Sequence, residues 1–432
     1  MSGQPGWSPW RVVIMFGLVS LAADMVYEGA RSLYGPLLAA LGASSVVVGA
    51  VTGAGEAMAL VLRLVFGPMA DRTGRYWGLT IVGYALTIVC VPLLAVTPFV
   101  GGAGLALAAA LILLERSGKA VRSPSKSALL AHVARAVGRG RGFGIHKAMD
   151  QTGAFAGPLL VAAIVSATGA MWTGLAALAI PGVVAMVLLL AIRARVPDPS
   201  VYDGSAAAPS TSPTEAPPMP GVAGAPAMTA PVDDPAPARG WLAGALGAGL
   251  PREFFLFACA ASLTTGGLVT FGLIGYHLSV GGLAPVAQVP VIYSGAMLTE
   301  ALAALGVGWL YDRVGPSVLY AVPVLVAAVP PLALSGGLAT ALVGIAVWGL
   351  AFGLQDSTIK AYVADIVEAP RRATAYGVFA GIQGVAAILG GVAAGWLYAR
   401  SVPALTLGVG LVQAAALTLM VLAVRRARRS VP

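Results

Sequence analysis

The chain is 432 residues long, with 58% hydrophobic and only 10% charged residues and a mean hydropathy of +0.87. An average globular domain carries roughly 25% charged residues, so there is too little charge here to clothe a soluble surface. Cys90 and Cys259 both sit in apolar runs, which excludes a disulfide scaffold or a cysteine-ligated cluster. His132, His146 and His277 lie far apart, so neither a metal nor any other cofactor is expected. The net charge of +9 comes from basic residues dispersed between apolar runs and not from a stripe interleaved with aromatics, which argues against a nucleic-acid partner.

A bilayer core roughly 30 Å thick takes about 20 apolar helical residues to cross. Such runs are expected at residues 12–39, 46–69, 77–97, 103–125, 142–166 and 171–193. A second set follows at 254–279, 286–311, 317–335, 338–362, 373–398 and 402–424. The fold class expected is therefore an all-α integral membrane protein of twelve transmembrane helices, with lipid as its surroundings. The fourth run is the least apolar, because Glu115, Arg116, Lys119 and Arg122 crowd its second half.

The connections alternate in charge. One side carries Arg11, Arg72 with Arg75, the segment from Lys126 to Arg141, Arg193 with Arg195, Arg313, Arg371 with Arg372, and the tail from Arg425 to Arg429; the opposite turns carry only Arg400. Lys and Arg in short loops stay in the cytoplasm, so both termini are expected there, in a plasma or inner cell membrane. The first apolar stretch is too long for a signal peptide, contains Asp24 and lacks a small-residue cleavage site. From Pro197 to Arg239 the chain turns to Pro, Ala, Ser, Thr and Gly, with no Leu, Ile, Phe or Trp. Such a segment buries too little apolar area to offset its ordering entropy. The expected organisation is a six-helix half at 1–196, a disordered cytoplasmic linker at 197–240 and a second six-helix half at 241–432.

The halves repeat each other. Gly67, Asp71, Arg72 and Gly74 after the second span recur as Gly308, Asp312, Arg313 and Gly315 after the eighth, in one G-x-x-x-D-R-x-G string. A second echo relates Gly144 through Gly157-Pro158 to Gly377 through Gly390-Gly391. Two parallel six-span halves around a substrate site are a transporter architecture.

At this point the sequence resembles the major facilitator superfamily over its whole length apart from the linker. Gly67, Asp71, Arg72, Gly74 and Arg75 match its loop motif between spans 2 and 3, with Tyr76 standing where the family usually has another basic residue. The resemblance implies a cytoplasmic latch in which Asp71 bonds a neighbouring helix N-terminus and pairs with a cation, and a protein that acts as a monomer. Gly144, Gly153, Gly157 and Pro158 match the span 5 motif of the superfamily's proton-coupled antiporters, but Val161 and Ala162 replace its closing glycines. Small residues on one face let helices approach closely, and Pro158 bends the helix. Arg116-Ser-Gly118-Lys119 is a loose version of the family's span 4 motif.

Ionisable groups within spans cost roughly 2.5–3.5 kcal/mol even on a lenient scale, so they line cavities or pair. Asp24, Glu28 and Arg31 follow an i, i+4, i+7 pattern on one helical face, flanked by Tyr27 and Tyr34. At about 1.5 Å per residue Asp24 lies near the midplane. Asp24 and Glu28 are expected to share a proton coupled to substrate binding. Glu56, Glu115, Arg116 and Glu300 complete the expected cavity set, and Arg63 shares a face with Glu56. His146 and Asp150, one turn apart, and Asp356 form a possible charge relay. The function expected is proton-coupled export of a small organic solute by alternating access. Proton-coupled uptake of an anionic or zwitterionic metabolite uses the same residues, and a non-transporting receptor is a third possibility. No nucleophile elbow, zinc helix or phosphate loop supports an enzyme.

Overall fold

The computed structural model describes residues 7–205, 250–368 and 371–430, and all regular structure among them is helical. The chain enters through α1 (Pro9–Arg31), whose start is capped by the Ser8 hydroxyl accepting from the Arg11 amide. It breaks at Ser32 and Leu33 and resumes as α2 (Tyr34–Ala40). There follow α3 (Ser45–Thr73), α4 (Tyr76–Leu93), α5 (Gly104–Val137), α6 (Arg139–Thr168), α7 (Met171–Ala177) and α8 (Ala179–Arg195). After residue 250 come α9 (Arg252–Gly267), α10 (Phe271–Val280), α11 (Val289–Val314), α12 (Ala321–Ala333), α13 (Leu338–Ile366), α14 (Arg372–Arg400) and α15 (Val402–Ser430).

Among the described residues ten segments are long and apolar enough to cross a membrane, which makes this a multi-pass membrane protein. The expected runs 286–311 and 317–335 fall together in one 48-residue segment, Val286–Ala333. Within it α11 ends at Gly315, whose φ of +64° is a left-handed backbone that stops a helix. The expected run 103–125 is not among the ten, and its helix does not stop where expected. α5 continues to Val137, so most of the segment from Lys126 to Arg141 is helix and not loop, and Gly138 makes the turn into α6.

Breaks inside an apolar bundle free backbone groups that lipid cannot satisfy. The Ser32 hydroxyl donates to the Gly29 carbonyl at 2.6 Å where α1 ends. Where α9 gives way to α10, the Trp348 indole donates to the Val269 carbonyl at 2.7 Å. Phe271 packs edge-on to Tyr293 beside it, with ring centroids 4.4 Å apart.

Helix pairing relies on missing side chains. α6 lies on α1 with Gly153 against the Leu21 backbone and Gly157 against that of Met25, where a Cβ would overlap main-chain atoms. α14 lies on α9 in the same way, Gly390 meeting Gly266, and crosses α3 where Gly391 and Gly395 meet Gly49, Gly53 and Ser45.

The first residues of the expected linker have regular structure. Residues Pro199–Ser205 form a 3-10 turn against the bundle. Tyr202 is buried and donates to the Trp7 carbonyl at 2.7 Å. Asp203 pairs with His132 at 2.7 Å and with Arg135 at 3.0 Å on the extended end of α5. Residues 206–240 of that linker lie outside the described residues. The hydrogen bond with His132, aided by Arg135, holds the Asp203 carboxyl below its usual range. A lowered carboxylate contributes to the folded strap above its ordinary pKa of about 3.9 and loses that contribution as pH falls through the lowered value. Amide hydrogen exchange at residues 200–203, corrected for intrinsic rates, should therefore quicken below roughly pH 4, and in Asp203→Asn at neutral pH.

Candidate functional site

Helices α1, α3, α5 and α6 face α9, α11, α13 and α14 across a cavity of about 1270 Å³. Its wall reaches the exposed Asp71 and Thr374 at the end of the molecule that carries Arg72, Arg75 and Arg371. At the other end it stops. There α2 and α10 pack with Gly35 against Gly272 and Tyr276, and Gly49 meets Gly391. Thr52 and Thr270 hydroxyls bond at 2.8 Å, and the Ser45 hydroxyl donates to the Gly395 carbonyl at 2.9 Å.

An ion network holds the middle of the cavity. Arg31 donates to Glu56 at 2.6 Å and stands 3.7 Å from Glu28. Arg116 lies 3.8 Å from Glu56 and 3.6 Å from Glu115, and its guanidinium also donates to the Tyr27 hydroxyl. The Tyr27 ring lies beneath both Arg116 and Lys119, the ammonium 3.7 Å from its centroid. From the far wall the Tyr293 hydroxyl donates to Glu28 at 2.5 Å. Arg122 approaches Asp24 at 4.0 Å.

The expected cavity residues Asp24, Tyr27, Glu28, Arg31, Glu56, Arg116 and Glu300 all line this one cavity, Glu300 from the facing side. Glu115 is not. It is 1% exposed and sits behind the wall, accepting from the Tyr34 and Thr87 hydroxyls at 3.5 Å each, because its helical position turns it away from the cavity. Asp24 and Glu28 do not form the expected pair. Glu28 is taken by Tyr293 and Arg31, and the carboxyl facing Asp24 within hydrogen-bonding reach is Asp150 of α6. The relay expected of His146, Asp150 and Asp356 is not assembled either. His146 Nε2 contacts the Ser20 hydroxyl at 3.3 Å and its Nδ1 has no partner, whereas Asp150 pairs with Lys147 at 3.2 Å. Asp356 lines the cavity from α13.

Several cavity groups escaped the sequence reading. Lys126 was placed in a loop, yet Lys119, Ser123 and Lys126 share one face of α5 and all line the cavity. Their i, i+4, i+7 spacing is the signal that a longer helix would have exposed. Gln355 and Gln383 donate to the Thr265 hydroxyl at 2.8 and 2.9 Å, tying α13 and α14 to α9. Uncharged amides in separate helices leave no pattern in one chain.

The family model for the Major Facilitator Superfamily matches residues 16–354 and 254–432. The chain belongs to the major facilitator superfamily. Among its relatives, an uncharacterized protein of Mycobacterium tuberculosis is 44% identical over 418 residues, covering 96% of this chain and 94% of the relative. An uncharacterized MFS-type transporter of Methanocaldococcus jannaschii is 22% identical over 397 residues, with 89% and 88% covered. The fold is similar to that of a peptide transporter POT crystallised with sulfate, at a TM-score of 0.70, 16% identity and 97% and 94% coverage. It is also similar to the nucleoside transporter NupG, at 0.63, 16%, and 97% and 98%.

In this member of the superfamily the duplicated loop string stands at the cavity mouth. Gly67 and Asp71 line it, Gly74 ends α3 at φ +62°, and Arg72 and Arg75 are exposed. Asp71 accepts from the Tyr76 hydroxyl at 3.1 Å, in place of the helix N-terminus and cation expected of it. In the second copy Arg313 stacks on Trp309 at 3.8 Å, while Gly308 is exposed and Gly315 ends its helix. Neither Asp71 nor Asp312 forms an ion pair among the described residues. Of the span 5 set, Gly153 and Gly157 make the close contact with α1, Pro158 is buried within α6, and Gly144 meets nothing.

Removing one partner of a buried pair strands the other charge. Arg31→Gln should lower stability by about 3 kcal/mol, and the double variant Arg31→Gln with Glu56→Gln should recover much of it. Thermal unfolding of the purified protein in detergent reads both.

Proposed function

We propose that this superfamily member is a secondary active transporter that moves a small organic solute by alternating access, coupled to protons and running as export. The observation that carries this reading is a large ion-lined cavity that reaches exposed residues at one end and is shut at the other. Such an arrangement is one half of an access cycle, with the site held near the middle of the bilayer. Twelve passes in two halves follow if α1 with α2, α7 with α8, and α9 with α10 each cross once, and α11 and α12 cross separately. α5 then crosses too, because Arg116, Lys119 and Arg122 face the cavity and not lipid. The matching glycine contacts of α6 on α1 and of α14 on α9 support the two-half layout. By the distribution of Lys and Arg the open end and both termini are cytoplasmic, in the cell's inner membrane, and the protein acts as a monomer.

Asp24 with Asp150 is the proposed proton site. Two carboxyls in contact cannot both be ionised cheaply, so the pair is suited to sharing one proton. Export is supported by the packing of Gly153 and Gly157 on α1, the face that the antiporter motif specifies. Proton-coupled uptake of an anionic metabolite is the second reading, favoured by the cations that line the cavity.

In energised inside-out vesicles monitored with a pH-gradient dye, an exported solute should collapse the gradient with wild-type protein and not with Asp24→Asn. Collapse that is equal in both removes Asp24 from coupling. Gly391→Val adds atoms where the shut end has only backbone, and overpacking costs about 1–3 kcal/mol. It should shift the protein toward opening at that end, read as faster maleimide labelling of Ser45→Cys.

A further inference from the structure

The cavity's cations are unevenly supplied with counterions. Arg31 has Glu56 and Glu28, Arg116 has Glu115 and Glu56, Arg122 has Asp24, and Lys147 has Asp150. Arg63, Lys119 and Lys126 line the same space and make no salt bridge among the described residues. Among the described residues Lys119 contacts the Tyr27 ring face, with Glu28 and Asp24 beyond salt-bridge distance, and Lys126 donates to the Ser20 hydroxyl at 2.9 Å, with Asp150 likewise beyond it. Arg63 buries its Nε with no acceptor; Asp356 and Glu56 attract it from beyond salt-bridge distance, and the like charge of Arg122 opposes them. A guanidinium is an obligate donor, and sealing one of its N–H groups from water without an acceptor is costly.

Lys119, Ser123 and Lys126 repeat along one face of α5, and Arg63 comes from the neighbouring α3. The arrangement offers a fork and two mobile ammonium groups, with a hydroxyl between the lysines, to a group that has several acceptor oxygens. Trp348 and Phe352 of α13 also line the cavity, stacked with centroids 5.4 Å apart at 16°; Trp348 is 1% exposed, so the aromatic surface offered is chiefly that of Phe352. Glu300, on the facing wall, makes no hydrogen bond or ion pair among the described residues and is the place a lone cation would choose.

We infer that the α3–α5 wall is an oxyanion subsite, in which Arg63, Lys119 and Lys126 hold the carboxylate or phosphate of an organic solute whose body lies chiefly against Phe352 of the stacked Trp348 and Phe352 pair. The inference deepens the transporter reading and rests on it for the solute's being cargo; the binding stands by itself.

Isothermal titration of the purified, detergent-solubilised full chain, with no gradient present, tests it. The probes are benzoate, phenyl phosphate, inorganic phosphate, benzamide and benzylamine. At least one ring-bearing anion should bind, at least about tenfold tighter than benzamide, which has the same ring and no charge. It should also bind more tightly than inorganic phosphate, which lacks the ring. The tighter of benzoate and phenyl phosphate identifies the oxyanion. Arg63→Gln and Lys119→Gln should each weaken that anion about tenfold or more, and Arg63→Lys should keep part of the affinity in a protein whose folding is checked by size-exclusion elution. Should Arg63→Gln not fold, Lys119→Gln and Arg63→Lys carry the comparison. Failure of both ring-bearing anions to bind the folded wild type, benzamide or benzylamine binding as tightly, or unchanged anion affinity in the folded variants would overturn it. Anion binding without any solute-driven flux in proteoliposomes removes the transporter reading and leaves the subsite; benzylamine flux without anion binding does the reverse.

Discussion

Ionisable groups carried into these helices have to be compensated by the protein itself, because a bilayer supplies neither water nor counterions. The Arg31–Glu56 contact at 2.6 Å is the centre of that compensation. It joins α1 to α3, Arg116 extends it to α5, and Glu28 carries it to Tyr293 on α11. The interaction therefore acts as a positional constraint on four helices more than as a source of net stability, since desolvating such charges offsets much of their attraction.

A second constraint works through the absence of side chains. Between apolar helices in lipid there is little hydrophobic driving force, so close packing and polar contacts set the geometry. Gly49, Gly53, Gly391 and Gly395 bring two helix backbones together at the shut end, and the Thr52–Thr270 and Ser45–Gly395 bonds close the remaining space. The breaks after Arg31 and after Gly267 let α2 and α10 lean against each other there, with the freed backbone groups satisfied locally. The other end, where Asp71 and Asp312 form no ion pair among the described residues, is the one the cavity reaches. One end dry and interlocked and the other wide are what a cavity needs if a solute is to enter from a single side.

Within the cavity, charge is partitioned more than it is accumulated. Carboxylates lie within salt-bridge distance of Arg31, Arg116, Arg122 and Lys147, and the cavity cations that make no salt bridge among the described residues, Arg63, Lys119 and Lys126, come from α3 and α5. The aromatic pair Trp348 and Phe352 stands on α13, and Glu300 on α11. Membership of the major facilitator superfamily accounts for the helical frame and for transport as the kind of activity; the solute's chemistry is a matter of this partition.

Features that depend on local helix geometry were legible in the chain itself. Asp24, Tyr27, Glu28 and Arg31 could be placed together because a 3.6-residue period fixes which side chains share a face. The apolar runs, the duplicated G-x-x-x-D-R-x-G string and the family resemblance needed no third dimension either. Which face meets the cavity, and which carboxyl meets which cation, depend on neighbours that are distant in sequence. So Glu115 went behind the wall, Asp24 faced Asp150 and not Glu28, and His146 turned to Ser20. The length of α5 depends on tertiary contacts for a related reason: its basic last turns are held as helix beside Ser20 and Asp203, which receive Lys126 and Arg135. Sequence by itself determined that the chain lives in a membrane as a helical bundle, because hydropathy is a property of the chain alone. Only the tertiary structure decided how its charges are shared out, because pairing is a relation between helices that the chain separates by anything from 25 residues, for Arg31 and Glu56, to 265, for Glu28 and Tyr293.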